Sequence, residues 1–121
     1  MSKARIVSAW IVVGLLTALF VMSAAMKFVG GAEIVGMFER FGLEHMRVVI
    51  GAGELISALL YLFPRTSSLG VLLLSAHMGG AIVTHMANGE AYVFQSVVLV
   101  MLWVGQYLRF PELLVSLSKG R

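Results

Sequence analysis

A long uncharged apolar segment at residues 6–26 constrains the fold of this chain most. It lies between Arg5 and Lys27, and no charged residue interrupts it. At about 1.5 Å per residue, a helix of this length crosses a bilayer core of about 30 Å. Because lipid offers no hydrogen-bond partners, only helices and closed barrels span it, and an unbroken apolar run favours a helix. The segment therefore predicts a transmembrane helix.

Three more apolar segments follow, at residues 48–63, 69–86 and 92–108. The first of these stops at Pro64-Arg65 and the last at Arg109-Phe110-Pro111. Hydrophobic residues make up 60% of the 121-residue chain, against about 45–50% in soluble proteins. We therefore predict an all-α fold, a four-transmembrane-helix bundle that forms one domain over residues 1–121 and contacts membrane lipids.

The segment between the first two spans has mixed polarity. Gly30-Gly31 breaks the first helix, and apolar residues at positions 34, 35, 38 and 41 then form one helical face among charged neighbours. This pattern predicts a short amphipathic helix at the membrane interface, ending near Gly42.

A secretory signal peptide is the alternative interpretation of the N-terminus. Lys3 and Arg5 resemble its positive region, and Ser23-Ala24-Ala25 resembles a cleavage site. The apolar stretch is longer than the usual 7–15 residues of such a peptide, which favours a retained span.

Orientation follows from the distribution of Lys and Arg. Residues on one side are Lys3, Arg5, Arg65, Arg109, Lys119 and Arg121, whereas Lys27, Arg40 and Arg47 lie on the other. We predict a multi-pass protein of the cell (inner) membrane with cytoplasmic N- and C-termini.

Four aromatic residues near span ends are expected to be interfacial anchors, namely Trp10, Tyr92, Trp103 and Tyr107. No basic patch with interleaved aromatic residues indicates a nucleic-acid partner.

Small residues in the second and third spans predict close helix packing. They are Gly51-Ala52-Gly53, Ser57-Ala58, Ser75-Ala76 and Gly79-Gly80-Ala81. Pairing of two chains through such residues, giving a homodimer with the Glu54 face at its interface, is an alternative.

Glu54 is the leading candidate for a functional residue. It lies about seven residues into the second span, about 10 Å below the outer boundary at the helical rise. An intramembrane carboxylate is costly unless it is paired, protonated or hydrated, so it indicates a functional site. A hydrogen bond that only fixes helix packing is the alternative.

His77 and His85 lie on one broad face of the third span. Their spacing places them about 80° apart around the helix and about 12 Å apart in depth. One metal ion cannot easily bridge that distance, and the sequence contains no HExxH motif and no cysteine, so we predict no metal site.

Alternating span directions bring Lys27, Glu54, His85 and Gln95 to the outer half of the bundle, with His77 just below. We predict a polar cavity there that binds a ligand through these five residues, with Glu54 and His77 as catalytic candidates. Lys27 is expected to pair with Glu54 or to extend to the interface, and whether Glu54 is ionised stays open. The cytoplasmic half is expected to be apolar and sealed.

An ordered set of short motifs between Ser23 and Met86 resembles the DoxX family of small membrane proteins. The motifs are Ser23-Ala24-Ala25-Met26-Lys27-Phe28, Gly51-Ala52-Gly53-Glu54, Leu59-Leu60, Pro64-Arg65, Gly70-Val71-Leu72-Leu73, Met78-Gly79-Gly80-Ala81 and His85. The resemblance implies a four-helix bundle and places Lys27, Glu54 and His85 in the family's pattern. Family members include a subunit of a thiosulfate:quinone oxidoreductase and a component of a membrane-associated oxidoreductase assembly.

Three functions remain open at this point. The first is a membrane subunit of an oxidoreductase that binds a quinone head, with Glu54 and a histidine exchanging protons. Since the chain has no intrinsic cofactor and no cysteine, electrons require a redox protein partner. The second is a non-catalytic lipid-binding or assembly protein. The third is a lipid isomerase with an acid–base site, by analogy of fold.

Overall fold

The computed structural model describes residues 2–114 of the chain, and these form five α-helices. The helices are α1 (Lys3–Val29), α2 (Ala32–Arg40), α3 (Arg47–Leu62), α4 (Ser67–Ala87) and α5 (Val93–Arg109). Short 3-10 turns lie at Glu44–Met46, Pro64–Thr66 and Pro111–Leu114. Residues 2–114 contain no strand, which confirms the all-α prediction. Lys119 and Arg121, which entered the orientation argument, lie outside the described residues.

The predicted break between α1 and α2 is present. Gly30 adopts a left-handed conformation with φ 68°, and its N–H donates to Met26 O at 3.0 Å. Gly42 has φ 71° and follows α2. Since a left-handed residue ends a helix and glycine adopts it without steric cost, the two glycines separate α2 from the long helices. Phe38 of α2 is buried, as expected for an amphipathic helix.

The four long helices form a ring in which α1 contacts α3, α3 contacts α4, α4 contacts α5, and α5 returns to α1. Their inner faces form one apolar core, whose buried members are Val13, Leu16, Phe20, Ala58, Tyr61, Val71, Leu74, Met78, Val98 and Leu102. Large apolar side chains also cover the outside, among them Leu15, Met22 and Val83.

Lipid is the solvent that this apolar exterior requires, because in water such a surface would associate. Helix α1 is long and apolar enough to cross a membrane, and so are α3 and α4, each together with the 3-10 turn before it. Helix α5 is apolar but shorter, with 17 residues. The fold is thus that of a helical membrane bundle.

Close packing at small residues is confirmed only in part. A Cβ on Gly51 would lie 3.0 Å from Lys27 Cβ and 3.4 Å from Ala24 O, so Gly51 allows α1 and α3 to approach. The prediction is wrong for Gly53, Gly79 and Gly80, where a Cβ would meet nothing within 4 Å. Gly70 takes such a role instead, because a Cβ there would overlap the backbone of Tyr61.

The prediction of a sealed apolar half opposite Glu54 is wrong in one respect, because this half is not apolar. Arg109 is only 5% exposed, and it donates to Leu62 O at 2.7 Å and to Tyr61 O at 2.5 Å. Its guanidinium lies over the Trp10 ring, 4.8 Å from the centroid. The physical reason is that the last carbonyls of α3 have no donor within their own helix and accept from a cation at the end of α5.

Candidate functional site

A buried ion pair joins α1 and α3 at the centre of the site. Lys27 Nζ lies 2.7 Å from Glu54 Oε1, with side-chain exposures of 13% and 2%. A charge-assisted hydrogen bond of this length compensates two charges that lipid would otherwise disfavour. The predicted pairing of Lys27 with Glu54 is confirmed.

Ser23 completes the junction and was not among the predicted site residues. Lys27 Nζ donates to Ser23 Oγ at 2.7 Å, and Ser23 Oγ donates to Glu54 Oε1 at 3.2 Å. Ser23 and Lys27 are four residues apart, so they lie on one face of α1, one turn from each other. The four-residue spacing could have identified Ser23 from the sequence, because a polar residue one turn before an intramembrane lysine can contact the same partner as the lysine.

His77 contacts the other oxygen of the same carboxylate. Its Nε2 lies 3.3 Å from Glu54 Oε2, and the ring meets Phe20 edge-on with centroids 6.4 Å apart. At this distance the two groups form an ion pair when the ring is protonated. Nδ1 is the ring nitrogen of His77 that does not face Glu54.

Arg47 fixes the end of α1 that carries Lys27. Its guanidinium donates to the Lys27 carbonyl oxygen and lies 3.3 Å from Glu44 Oε1. A Cβ on Gly30 would collide with this guanidinium, so glycine there makes room for it. Arg47 thus positions the backbone of the lysine without touching the cavity.

His85 and Gln95 form a second polar pair between α4 and α5. His85 Nδ1 lies 2.7 Å from Ala81 O, and Gln95 Nε2 lies 3.3 Å from His85 Nε2. A carbonyl only accepts, so Nδ1 carries the proton, Nε2 accepts, and the amide nitrogen of Gln95 is its donor. Gln95 Oε1 is buried and has no hydrogen-bond partner within residues 2–114.

These groups line one cavity of about 220 Å³, here called the polar cavity. All five predicted ligand-binding residues take part, and the complete lining is Leu19, Phe20, Ser23, Lys27, Met37, Glu54, His77, Met78, Ala81, His85, Phe94, Gln95 and Val98. The predicted gathering of polar groups at this end is therefore confirmed. Met37 of α2 was missed, because the position of an interfacial helix relative to a bundle is not encoded in hydropathy.

The arrangement suits proton exchange with a small polar group. Glu54 lies beside His77 in the way that a buried carboxylate lies beside the imidazole in acid–base sites. Lys27 uses two of its three protons on Ser23 and Glu54, and its ammonium lines the cavity with one proton to spare. Within the described part of the chain, no group of three or more His, Cys, Asp or Glu side chains is placed to hold a metal ion.

Comparison with known proteins agrees with this architecture. Searches of the curated proteins and of the solved structures returned no match. The model of the DoxX-like family matches residues 11–105, a stretch that begins in α1 and ends in α5 and includes Lys27, Glu54, His77, His85 and Gln95. Since the match covers most of the chain, the protein belongs to the DoxX-like family.

Proposed function

We propose that this DoxX-like protein is a membrane subunit of a quinone-linked oxidoreductase system, and that its polar cavity binds the head of a quinone. The observation that carries the proposal is the chain of contacts from Lys27 through Glu54 to His77 at the wall of that cavity. Such a set of buried ionisable groups inside an apolar bundle costs free energy that a purely structural helix contact does not require.

The hydrogen-bonding groups in the polar cavity complement a quinone head. The spare proton of Lys27 is a donor for a quinone oxygen, and the unpartnered Gln95 Oε1 is an acceptor for the hydroxyl of the reduced form. Phe20, Phe94 and Leu19 supply apolar wall around them, and ligand sites combine apolar walls with a few placed polar groups in this way.

Reduction of the quinone to the hydroquinone consumes two electrons and two protons. A redox protein partner supplies the electrons, because the chain contains no cysteine and so no dithiol couple. A protonated His77, which lies beside the Glu54 carboxylate, gives its Nδ1 proton to one quinone oxygen, and the Lys27 ammonium gives the second proton to the other oxygen. Both side chains then take up a proton from water. In the reverse direction, Nδ1 accepts the proton of a hydroquinone hydroxyl.

The proposed topology places the polar cavity at the outer leaflet. The four long helices cross the membrane in alternation, with the N-terminus and the Pro64 turn on the cytoplasmic side. The excess of Lys and Arg at that end supports this orientation. The 3-10 turn Glu44–Met46 and the α4–α5 turn then face outward.

Quinone binding by the purified protein in lipid nanodiscs tests the proposal. The probe is a dimethoxy-methyl-benzoquinone with a decyl chain, titrated by calorimetry. Glu54→Gln removes the charge that holds both Lys27 and His77, and we expect about tenfold to a hundredfold weaker binding, as for hydrogen bonds to charged groups. Gln95→Leu, which leaves the ion pair intact, should weaken binding of the hydroquinone form of the probe about threefold to tenfold, because only that form donates to Gln95 Oε1.

Glu90→Gln is the matched control, because Glu90 is exposed and its only ion pair is with exposed Arg40 in residues 2–114. Its affinity should equal that of the wild type. The proposal would be contradicted if Glu54→Gln bound the quinone, and Gln95→Leu the hydroquinone, as tightly as the wild type does. A wild type that binds no quinone but copurifies with phospholipid in the polar cavity would favour the lipid-binding alternative.

A further inference from the structure

A second cavity of about 330 Å³, here called the side cavity, adjoins the polar cavity. The two share the lining residues Lys27, Met37, His77, Ala81 and His85. The side cavity lies between α3 and α4, and it is also lined by Met37 and Phe38 of α2 and by Phe41, which directly follows α2. The shared wall places the two cavities side by side, on either side of the same five residues.

The polar cavity and the side cavity differ in the polarity of their walls. Glu54, Gln95 and Ser23 line only the polar cavity. The residues that line only the side cavity are Phe38, Phe41, Leu43, Ile50, Ala76, Gly80 and Thr84. The one hydroxyl among these side chains, on Thr84, donates to Gly80 O at 2.7 Å and is already satisfied. The side cavity therefore offers apolar contact and no free polar group beyond the shared wall.

The side cavity opens at the seam between α3 and α4. Ala76 and Gly80 are exposed and lie one turn apart on α4. A Cβ on Gly80 would meet nothing within 4 Å, so the glycine leaves open space at the mouth. The neighbouring exposed residues Leu72 and Val83 are apolar, which places the mouth in the lipid-facing surface.

We infer that the side cavity holds the first part of an apolar chain whose polar head lies in the polar cavity, and that the ligand enters from the lipid between α3 and α4. The ligand class is a lipophile with one small ring-like head and a single apolar chain. This inference rests on the proposed function and specifies its ligand. The path keeps the chain in apolar surroundings from the bilayer to the site, while the head exchanges its hydration for Lys27 and Gln95.

Substitution at Gly80 tests the inference by comparing the binding of a quinone that has an apolar chain with that of a quinone that lacks one. The probes are the decyl benzoquinone and the same benzoquinone without a chain, each titrated against the full chain in nanodiscs. Gly80→Leu places a branched side chain in the mouth of the side cavity. We expect it to weaken binding of the decyl quinone roughly tenfold or more, as overpacking does, and to change binding of the chainless quinone by less than about threefold.

Gly79→Leu is the matched control, because Gly79 lies on the same helix, has equal room for a side chain and lines neither cavity. It should leave both affinities unchanged. Equal effects of Gly80→Leu on the two quinones, or equal behaviour of the two leucine variants, would overturn the inference. If both quinones bind, and bind more weakly to Glu54→Gln, that result leaves the proposed function standing. A wild type that binds neither quinone defeats both.

Discussion

The Glu54 carboxylate contacts three polar side chains on two helices. Ser23 and Lys27 of α1 contact one oxygen, and His77 of α4 contacts the other. In a buried pair the separate desolvation costs are large, so the pair is stable only while both members are present. The same low dielectric that makes the pair costly makes its charge effective on a bound group.

Removal of one member should therefore harm the fold more than removal of both. We expect Lys27→Met or Glu54→Gln alone to lower the free energy of unfolding by about 3–5 kcal/mol, and the double variant to lose less than either single one. Unfolding in detergent, followed by circular dichroism, gives the coupling between the two residues as a double-mutant cycle.

Arg40→Gln and Glu90→Gln form the control cycle, because that pair is 3.5 Å apart and exposed. Its coupling should stay below about 1 kcal/mol, as is usual for exposed pairs. A Lys27–Glu54 coupling equally small would show that the ion pair does not stabilise the bundle.

Much of this site could be predicted from the sequence, because the depth of a residue in the membrane follows from its position along a span. Counting residues from the span ends placed Lys27, Glu54 and His85 in the outer half of the bundle, and the structure has them in one cavity. Rotation about each helix axis is not fixed by counting. The contact of His77 with Glu54 and the placement of Ser23 depend on that rotation, and neither contact was predicted.

At the scale of elements, three arginines stabilise helix C-termini that belong to other helices. Arg47 donates to the end of α1 and Arg109 to the end of α3. Arg5 donates to Tyr107 O and Leu108 O at the end of α5. The last carbonyls of a helix lack intrahelical donors and carry partial negative charge, so a cation satisfies both needs. These contacts tie consecutive ends of the ring together.

Arg109→Met should separate the binding of helix carbonyls by Arg109 from its packing, because methionine keeps an unbranched apolar side chain but lacks the guanidinium donors. The carbonyls of Tyr61 and Leu62 would lose their charged partner. We expect a loss of about 1.5–3 kcal/mol in the free energy of unfolding, measured in detergent.

Arg65→Met, at an exposed position of the same end, should change stability by less than about 0.5 kcal/mol. A similar loss in both variants would mean that net charge at this end, rather than carbonyl binding, stabilises the bundle. The sequence indicated Arg109 only as the end of a span, since a terminal arginine facing inward and one facing water have the same hydropathy profile.

At the scale of the whole molecule, the ring has two unlike ends. One holds the cavities beneath α2, and the other is closed by Arg109 packed between α3, α5 and Trp10. Hydropathy predicted the four long helices and the interfacial segment, because each is a property of consecutive residues. It did not predict the arginine-closed end or the side cavity, because both depend on which helices become neighbours.

Single cysteines test the proposed orientation, since the native chain has none. Asn88→Cys and Ser68→Cys lie at exposed positions of opposite ends of α4. In intact cells, a membrane-impermeant maleimide should label the variant at position 88 and leave the one at position 68 unlabelled until the cells are lysed. The reverse pattern would place the polar cavity at the cytoplasmic leaflet.

Helix α2 lies between two left-handed glycines, Gly30 and Gly42, and its ion pair Arg40–Glu90 is exposed and long. Its apolar side chains nevertheless form part of the wall of both cavities. Part of the wall of both cavities is thereby supplied by a segment outside the ring of long helices. Replacing residues 32–41 with another amphipathic sequence should change the shape of both cavities with little repacking of the ring, which makes this segment the natural place to diversify the protein by directed evolution.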